Sequence, residues 1–308
     1  MNKVYTIIVT YNAMKWISKC IRCLKESTIH TDIIVVDNCS TDETVEYIST
    51  AFQDVIIIQN KKNRGFGQAN NQGLEYAYKH SGTHFFLCNQ DLYVKPDAIE
   101  KMVNIQNEYD LCVVSPIQMN GSFSMIDGGF YNSFIQNPYN LEFVSDIITS
   151  TAKDYYAVSY VPAAAWMLTR NTLETIGGFD PLFFHYGEDN HYSSRLIYHK
   201  KIMAVVPSAI VAHDREFKGN INAFKKYAPC SNLVNAFSDP NDPILRLTSK
   251  RIVALGVITK HILFDLIKFK FVDAKNSICS LATFIGRLKD VKESVKSNRI
   301  INHNWLEI

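Results

Sequence analysis

Short apolar segments alternate with amphipathic segments over the first 115 residues, and this order restricts the fold more than any other feature of the chain. The uniformly apolar segments that we predict as strands are residues 3–10, 32–37, 55–59, 84–88 and 111–115. The segments that we predict as helices between them are residues 14–27, 41–52, 66–79 and 96–108. Apolar strands in this order are typical of a mostly parallel sheet with helices on both faces, so the sequence predicts an α/β fold.

The rest of the chain divides into three parts by composition. Residues 116–160 are rich in Gly, Asn, Ser and Tyr, and we predict an irregular insert there. Regular structure returns over residues 158–206, and the chain beyond residue 216 is predicted to be helical to its end. The longest apolar run in that last part, residues 252–258, is far shorter than the roughly 18–20 residues that span a bilayer.

The charge is nearly balanced over the whole chain but not within it. Lys and Arg total 32 against 30 Asp and Glu, and 47% of residues are hydrophobic, which indicates a globular protein rather than a strongly basic nucleic-acid binder. Residues 246–308, however, hold 12 Lys or Arg and 5 Asp or Glu, a balance of +7. The preceding residues hold the remaining 20 and 25, a balance of −5.

Two interpretations of this basic tail stay open at this point. In the first, its apolar residues pack against the rest of the chain or against a second copy in a homodimer. In the second, an amphipathic helix near residues 251–271 lies on an anionic membrane, with Lys260, Lys268 and Lys270 toward the lipid headgroups.

The N-terminus and the cysteines both favour a reducing compartment. The first apolar run, residues 7–9, stops at Thr10, so we expect no secretion and a cytoplasmic protein. Seven cysteines is an odd number, which favours free thiols. Cys20 and Cys23 form a C-x-x-C within a predicted helix and lack a second pair, so we expect a buried helix face rather than a zinc or redox site.

Polar residues directly follow three of the predicted strands, at residues 10–12, 37–38 and 89–91. Each cluster alone also fits a turn or a helix cap. Because parallel α/β sheets bind ligands beyond the carboxyl ends of their strands, the shared position predicts a site. Within it, the carboxylate of Asp91 can hold a divalent cation that bridges two phosphates.

Residues 63–73 form a Gly-containing turn that opens a predicted helix. Gly65 and Gly67 let backbone amides approach an anion, and the amino end of a helix favours negative charge. Asn70 replaces the third glycine of the dinucleotide-binding fingerprint, and the G-K-[ST] of a P-loop is missing from the turn.

A further polar cluster, residues 185–189, contains two adjacent carboxylates. Glu188 and Asp189 either begin a solvated helix or include a general base that takes a proton from a substrate hydroxyl. His213, which follows an apolar run, either binds the same metal as Asp91 or has a structural role.

In combination and order, these motifs resemble the inverting family 2 glycosyltransferases with a GT-A fold, especially their bacterial rhamnosyltransferase-like branch. The resemblance extends over roughly residues 3–215. The matching segments are residues 9–12, 35–42, 63–73, 87–91 and 177–180, followed by Phe184, Glu188, Asp189, Arg195 and His213.

The resemblance implies a Rossmann-like GT-A domain with a C-terminal helical extension. Residues 1–115 would form the α/β half that binds a nucleotide sugar. Residues 116–215 would form the half of the same domain that binds the acceptor and carries the catalytic residues. Residues 216–308 would form the extension.

The resemblance also implies roles for single residues. Asp189 would be the catalytic base, with Glu188 beside it, and Asp91 and His213 would bind Mg²⁺ or Mn²⁺. The residues implied to bind the nucleotide sugar are Thr10, Tyr11, Asn12, Asp37, Asn63, Arg64, Gly67, Asn71, Asn89 and Gln90.

Three departures from the family pattern affect these roles. Asn89 stands where the metal motif often has aspartate, so metal affinity is expected to be weaker. Residues 162–165 and 190–192 also differ from the usual pattern, and they leave the acceptor contacts open.

The implied activity is transfer of a sugar from a nucleotide donor to a hydroxyl of a surface-glycan acceptor, with inversion. dTDP-rhamnose is the favoured donor and UDP-hexoses come next, and the acceptor would be carried on lipid at the inner face of the cytoplasmic membrane. Two alternatives are kept. Nucleotidyl transfer is disfavoured because residues 12–15 contain no glycine, and a nucleotide-sugar-binding partner or regulatory subunit would not catalyse transfer.

Overall fold

A sheet of nine strands lies at the centre of the part of the chain that the structure describes. The computed structural model describes residues 2–215, 221–243 and 247–308, and over residues 221–229 the backbone only. The strands are β1 (Val4–Thr10), β2 (Thr31–Asp37), β3 (Ile56–Gln59), β4 (His84–Asn89), β5 (Leu92–Val94), β6 (Val113–Asn120), β7 (Tyr156–Val158), β8 (Ala165–Thr169) and β9 (Met203–His213).

Twelve helices accompany the sheet within the described ranges. The first eight are α1 (Ile17–Lys25), α2 (Thr44–Ala51), α3 (Phe66–Lys79), α4 (Ala98–Tyr109), α5 (Gly128–Phe130), α6 (Leu141–Thr149), α7 (Arg170–Thr175) and α8 (Glu188–Tyr198). The C-terminal four are α9 (Ile221–Ser238), α10 (Ser249–Ile267), α11 (Phe271–Gly286) and α12 (Leu288–Asn298).

The order of the strands in space confirms the predicted α/β architecture. β1 lies between β2 and β4 and is parallel to both, and β3 continues this parallel half beyond β2. The other half is mixed, because β8 is antiparallel to β4 and β6, whereas β9 is parallel to β6 and antiparallel to β5 and β7. The complete order is β3-β2-β1-β4-β8-β6-β9-β5, with β7 paired to β9.

Helices cover both faces of the sheet, as its uniformly apolar strands require. On β1, Ile8 packs in one apolar core with α1, α2 and α4, whereas Ile7 packs in a second core with α3, α7 and α8. Both isoleucines are fully buried. Because successive side chains of a strand point to opposite faces, one apolar run supplies both cores.

The segment of residues 116–160 is more regular than its composition predicts. It contains the end of β6, α5, α6 and β7, with helical turns at residues 131–135 and 138–140. The ring centroids of Phe130 and Phe134 are 4.9 Å apart, as are those of Phe134 and Phe143. These aromatic contacts bury all three rings and organise the segment, so the prediction of an irregular insert is wrong here.

All seven cysteines are free thiols, as predicted. Cys20 is buried on the packed face of α1, and its Sγ lies 3.9 Å from the Sγ of Cys88 on β4. Cys23 is half-buried on the same helix. The C-x-x-C pair therefore belongs to the helix face that covers the sheet.

Helices α9–α12 form the extension predicted beyond residue 216, of which residues 216–220 and 244–246 lie outside the described part of the chain. α9, α10 and α11 pack against one another, and they share a third apolar cluster with Leu182 and Phe183. The extension therefore packs on the rest of the chain, as the first interpretation of the tail predicts. No helix in the described ranges has both the length and the apolar character needed to cross a membrane.

A buried carboxylate joins the extension to the segment before α8. Asp180 accepts hydrogen bonds from Ser294 Oγ at 2.5 Å and from Asn298 Nδ2 at 2.8 Å, both on α12. Its other oxygen accepts from the backbone amide of Leu182 at 2.9 Å. Since a buried carboxylate is stable only when hydrogen-bonded, these contacts fix α12 beside the segment that leads to α8.

The last residues of the chain return to α3. The backbone amide of Gly178 donates to the carbonyl of Asn304 at 2.8 Å, and the side-chain amide of Asn71 donates to the carbonyl of Trp305 at 3.2 Å. Leu306 is buried in the apolar core that α3 shares. The C-terminus is therefore part of the packing around this helix.

We predict that Asp180→Ala destabilises the protein by roughly 3 kcal/mol, because three donors lose their acceptor in a buried place. The midpoint of thermal unfolding, followed by circular dichroism, should fall by several degrees. Asp290→Ala is the matched control, since Asp290 is exposed on the same helix, α12, and its loss should change the midpoint little. An equal fall in both variants would contradict the anchoring role of Asp180.

Candidate active site

The carboxyl ends of β1, β2 and β4 lie side by side, because β1 is parallel to both neighbours. Thr10 stands opposite Asp37 in the ladder, and its hydroxyl donates to Asp37 Oδ1 at 3.0 Å. Just beyond the strand ends, the backbone amide of Tyr11 donates to Gln90 Oε1 at 2.8 Å. The three polar clusters that we expected to share this edge are therefore in direct contact.

Asp37 is fully buried, and both of its oxygens are occupied. Oδ1 accepts from the hydroxyls of Thr10 and Ser40, and Oδ2 accepts from the backbone amide of Ser40 at 3.0 Å. Asn12, with a left-handed φ of 52°, binds the same loop. Its backbone amide donates to Ser40 Oγ at 2.9 Å, and its Oδ1 accepts from the amide of Thr41 at 2.8 Å. These contacts give Asp37 and Asn12 a structural role in the loop after β2.

Asn38 organises the turn that leads into α3. Its Nδ2 donates to Asn63 Oδ1 at 2.9 Å, and its Oδ1 accepts from the backbone amide of Arg64 at 2.8 Å. Asn63 Oδ1 also accepts from the backbone amide of Gly65 at 2.8 Å. The backbone of the turn is thus fixed, while Arg64 itself is exposed at the amino end of α3.

The glycines of this turn allow α3 to approach the segment before α8. Gly65 has a φ of +83°, and a Cβ at this position would lie 1.9 Å from the carbonyl oxygen of Phe184. A Cβ on Gly67 would lie 2.8 Å from the Cβ of Phe179. Neither contact is compatible with a side chain, so the glycines have a packing role that the sequence pattern did not indicate.

Asn71 is buried and bound to distant backbone. Its Oδ1 accepts from the backbone amide of Phe179 at 2.8 Å, and its Nδ2 donates to the carbonyls of Phe179 at 2.8 Å and Trp305 at 3.2 Å. These bonds use the acceptor and both donor hydrogens of the amide. We therefore replace the predicted nucleotide contact of Asn71 by a structural role, which is to hold the turn before α8 and the C-terminus against α3.

Asp91 and His213 are neighbours, although they lie far apart in the sequence. β5 begins directly after Asp91 and is antiparallel to β9, so that Leu92 stands opposite His213. Asp91 Oδ1 lies 3.2 Å from His213 Nε2, and Asn89 Nδ2 lies 3.3 Å from the same nitrogen. The three-residue β5 is too short to predict from the sequence, yet it brings this pair together.

Asp91 and His213, named here the cation pair, fit a shared divalent cation. Two ligands at right angles, each about 2.1 Å from one metal, are about 3.0 Å apart, close to the distance between this oxygen and nitrogen. Burial raises the pKa of the Asp91 carboxyl, but the hydrogen bond and charge of His213 outweigh it and hold the pKa below its usual value. The carboxyl is therefore ionised at neutral pH.

The cation pair does not form a complete protein cage. Among the described residues, no group of three or more His, Cys, Asp or Glu side chains could hold a metal ion. A cation bound by Asp91 and His213 would therefore take its remaining ligands from a phosphate substrate and water.

Asp189 lies in the first turn of α8 and is held by its neighbours. The hydroxyl of Tyr160 donates to Oδ2 at 2.9 Å, the backbone amide of Asn190 donates to Oδ1 at 2.8 Å, and the backbone amide of Ala163 lies 3.5 Å from Oδ2. Burial, and then the charge of Asp189, raise the pKa of Tyr160, so its hydroxyl remains a donor. Tyr160 is missing from the predicted site residues because a lone tyrosine forms no motif.

Glu188 has a different environment from Asp189. It is buried, and its Oε2 has no hydrogen-bond partner in the part of the chain that the structure describes. Burial, and then the neighbouring charge of Asp189, raise the pKa of Glu188 to about 8. Glu188 is therefore mostly protonated at pH 7.

Two alanines join the cation pair to the start of α8. The backbone amide of Asn89, beside the cation pair, donates to the carbonyl of Ala164 at 3.0 Å. The preceding residue, Ala163, contacts Asp189 through its backbone amide. Both alanines are buried. This Ala163–Ala164 link connects the two predicted reactive centres through one short backbone segment.

Two further polar side chains of α8 are structural. Arg195 is buried and donates to the carbonyls of Ile176 and Gly178. His191 is also buried, and burial lowers its pKa to about 4, so that it is neutral at pH 7. Arg195 fixes α8 against the preceding turn, and His191 Nε2 lies 3.3 Å from the carbonyl oxygen of Ser238 at the end of α9.

The part of the chain that contains many of these residues is similar to a known protein family. Residues 5–151 match the family described as Glycosyl transferase family 2. The chain contains a family 2 glycosyltransferase domain. The match includes the strand ends with Thr10 and Asp37, the turn before α3 and Asp91, and it ends before Tyr160 and Asp189.

Two curated glycosyltransferases are similar to parts of the chain. The SPbeta prophage-derived glycosyltransferase SunS of Bacillus subtilis (strain 168) is 37% identical over 112 residues, which are 35% of this chain and 26% of SunS. The dTDP-rhamnosyl transferase RfbF of Shigella flexneri is 21% identical over 213 residues, which are 69% of each protein. The chain thus matches about a quarter of the length of SunS and about two thirds of RfbF.

Solved structures share the fold at low sequence identity. Residues 1–349 of S. aureus TarS, in complex with UDP-GlcNAc, align with a TM-score of 0.61 and 14% identity over 98% of this chain and 89% of that one. The mannosyltransferase PcManGT of Pyrobaculum calidifontis, in complex with GDP-Man and Mn²⁺, aligns with a TM-score of 0.58 and 15% identity over 96% and 86%. The predicted GT-A fold of the family 2 domain is therefore confirmed.

The buried Glu188 beside the family 2 domain should make stability depend on pH. An acid whose pKa rises on folding binds more protons in the folded than in the unfolded state, so stability falls as pH rises from about 4.5 to about 8. The slope approaches about 1.4 kcal/mol per pH unit. Glu188→Gln removes this titration. As pH rises through this range, the thermal midpoint of the unsubstituted protein should therefore fall relative to that of Glu188→Gln.

The matched control for this experiment is Glu293→Gln, which changes an exposed glutamate on α12. Its thermal midpoint should follow that of the unsubstituted protein at every pH. A difference between Glu188→Gln and the unsubstituted protein that stays constant with pH would show that Glu188 is ionised like an exposed carboxyl.

Proposed function

We propose that the chain transfers a sugar from a nucleotide-sugar donor to a hydroxyl of a glycan acceptor, with inversion at the anomeric carbon. The observation that carries the proposal is the Ala163–Ala164 link, which connects Asn89, next to the cation pair, to Asp189 through two residues of backbone. A donor diphosphate at the cation pair and an acceptor hydroxyl at Asp189 would therefore lie near each other.

The nucleotide is proposed to bind at the ends of β1 and β2. Tyr11 is 50% exposed there, so its ring is available to pack against a base. Arg64 is exposed at the amino end of α3, where a guanidinium and the helix terminus both favour a diphosphate. The other residues that we propose to bind or shape the donor site are Thr10, Asn12, Asp37, Asn63, Gly67, Asn89 and Gln90.

Mg²⁺ or Mn²⁺ is proposed to bind Asp91 and His213. Mg²⁺ commonly takes one or two protein carboxylates and completes its shell with substrate phosphates and water, which agrees with a cation pair of two ligands. When bound, the ion would neutralise charge on the departing nucleoside diphosphate. The complex of PcManGT with GDP-Man and Mn²⁺ supports such an ion.

Asp189 is proposed as the base of a single displacement. The acceptor oxygen attacks the anomeric carbon, the bond from that carbon to the diphosphate oxygen breaks, and the hydroxyl proton passes to Asp189. Tyr160 and the amide of Asn190 orient the carboxylate for this step. Glu188 is mostly protonated at neutral pH, so it is a poor acceptor for this proton.

Among donors we favour dTDP-rhamnose, with UDP-hexoses next. The dTDP-rhamnosyl transferase RfbF is similar over 69% of its length, and TarS was solved with UDP-GlcNAc. The acceptor that we propose is a surface glycan on a lipid carrier. This choice fits the basic extension, which carries a balance of +7 over residues 246–308.

We predict that Asp189→Asn slows release of nucleoside diphosphate by at least about 100-fold, because the amide cannot accept the proton. The donor is first selected by thermal shift with dTDP-, UDP- and GDP-sugars, since a bound ligand raises the unfolding midpoint. Affinity for that donor, measured by calorimetry, should stay within about twofold, because Asn keeps the acceptor for Tyr160.

Asp110→Asn is the matched control for Asp189→Asn, because Asp110 is exposed at the end of α4. It should keep both turnover and affinity. Near-normal turnover of Asp189→Asn would exclude Asp189 as the base. Tight donor binding without any product release by the unsubstituted protein would favour the alternative of a non-catalytic nucleotide-sugar-binding subunit.

We predict that Asp91→Asn weakens the binding of UDP or dTDP in the presence of Mn²⁺ by at least about tenfold, because one anionic ligand is lost. Calorimetry with Mn²⁺ and with EDTA measures the effect. The control Asp32→Asn makes the same change of charge at the end of β2 that lies away from Asp37. This variant should bind the nucleotide like the unsubstituted protein. Equal affinities of Asp91→Asn and the unsubstituted protein, with no response to EDTA, would disprove the cation site.

A further inference from the structure

The turn between α10 and α11 exposes a group of large apolar side chains. Nine of the ten residues from 263 to 272 are exposed, and Phe269, Val272 and Ile267 reach 77%, 74% and 72%. We name the group the apolar tip, and its members are Leu263, Phe264, Leu266, Ile267, Phe269, Phe271 and Val272. Single exposed apolar residues are common, but a contiguous group of this kind marks an interaction surface.

The inner face of the same two helices is partly polar. Arg251 on α10 and Ser277 and Ser280 on α11 are buried, whereas Ile278 and Ile285 on α11 are exposed. A surface helix in water has its apolar residues inward and its polar residues outward. The outward face of this helix pair therefore has the composition expected of a surface that contacts an apolar medium.

Exposed lysines lie within and around the apolar tip. Lys268 and Lys270 alternate with its apolar side chains, and Lys260 and Lys275 lie on the adjoining helices. The acidic residues of the same stretch are only partly exposed. The surface around the tip is thus positive, in agreement with the balance of +7 over residues 246–308, and each lysine near an anionic surface adds to its attraction.

A second copy of this chain fits the apolar tip less well than a lipid surface. In a symmetric dimer the same patch meets itself, so Lys268 and Lys270 of one copy would approach those of the other. The exposure of nine of the ten residues from 263 to 272, on all sides of the turn, favours a projecting turn over a flat face. An anionic bilayer offers apolar chains and negative headgroups together, which matches the alternation of both residue types.

We propose that the apolar tip inserts into the boundary between headgroups and acyl chains of an anionic bilayer. Phe269, Phe271 and Ile267 would lie among the acyl chains. Lys268 and Lys270 would extend their charged ends to the headgroups while their carbon chains remain in lipid. The proposed contact is peripheral. Among the described residues, no helix is both long and apolar enough to cross a bilayer.

The extension connects the apolar tip to the candidate active site. Ile258 of α10 and Phe284 of α11 share one apolar cluster with Leu182 and Phe183, a few residues before Glu188. Binding of the tip would therefore set the orientation of the candidate active site relative to the bilayer, where a lipid-linked acceptor is found. This last step rests on the proposed function, whereas the bilayer contact itself does not.

The test is co-sedimentation of the full-length protein with vesicles of phosphatidylcholine, alone or mixed with phosphatidylglycerol. We expect binding to the mixed vesicles and a partition coefficient at least about tenfold lower for Phe269→Ser/Phe271→Ser. The matched control is Ile300→Ser/Ile301→Ser, which removes two exposed apolar residues after α12 and should bind like the unsubstituted protein.

The charge requirement is tested by Lys268→Glu/Lys270→Glu, which should bind the mixed vesicles less, and by added salt, which should weaken binding of the unsubstituted protein. Circular dichroism confirms that each variant is folded. Binding that is absent, or equal in Phe269→Ser/Phe271→Ser, overturns the proposal. So does light scattering that shows a dimer which this variant converts to a monomer. Because the assay contains no donor, its failure leaves the proposed glycosyl transfer untouched.

Discussion

The parallel pairing of β1 with β2 and β4 is the constraint on which the candidate site depends. In this register Thr10 meets Asp37, and the loops beyond the strands meet through Tyr11 and Gln90. A shift of one residue would exchange the side chains that β1 contributes to its two apolar cores, so the packing of both cores holds the register. The position of the polar edge is therefore determined by apolar residues that never touch a ligand.

Features that follow from local patterns were predictable, and contacts between distant residues were not. The bounds predicted for α3, residues 66–79, are those of the structure, and the adjacency of the three polar clusters follows from strand order. The contacts of Tyr160 with Asp189 and of Asn71 with Phe179 join residues 29 and 108 positions apart. The hydrophobic periodicity of the sequence does not indicate such pairs, because they depend on how whole helices and strands pack.

The two adjacent carboxyls show how packing decides chemistry that spacing leaves open. Neighbouring residues on a helix point about 100° apart. One carboxyl of the first turn of α8 can therefore face the core while the next lies beside Tyr160. Glu188 is buried without a partner for Oε2 in the described residues, whereas Asp189 has donors from Tyr160 and Asn190. Spacing alone does not distinguish the two carboxyls, whereas the fold buries one of them and provides hydrogen-bond donors to the other.

The return of the C-terminus to α3 has a consequence for the timing of biosynthesis. The family 2 domain leaves the ribosome early, and domains generally begin to fold in that order. The turn at Gly178 and the amide of Asn71, however, also bind the backbone of Asn304 and Trp305, which are translated more than 120 residues after Gly178. A nascent chain therefore cannot complete the support of the segment before α8 until residues 304 and 305 have left the ribosome. Assembly of the candidate site lags well behind synthesis of the strands that carry it.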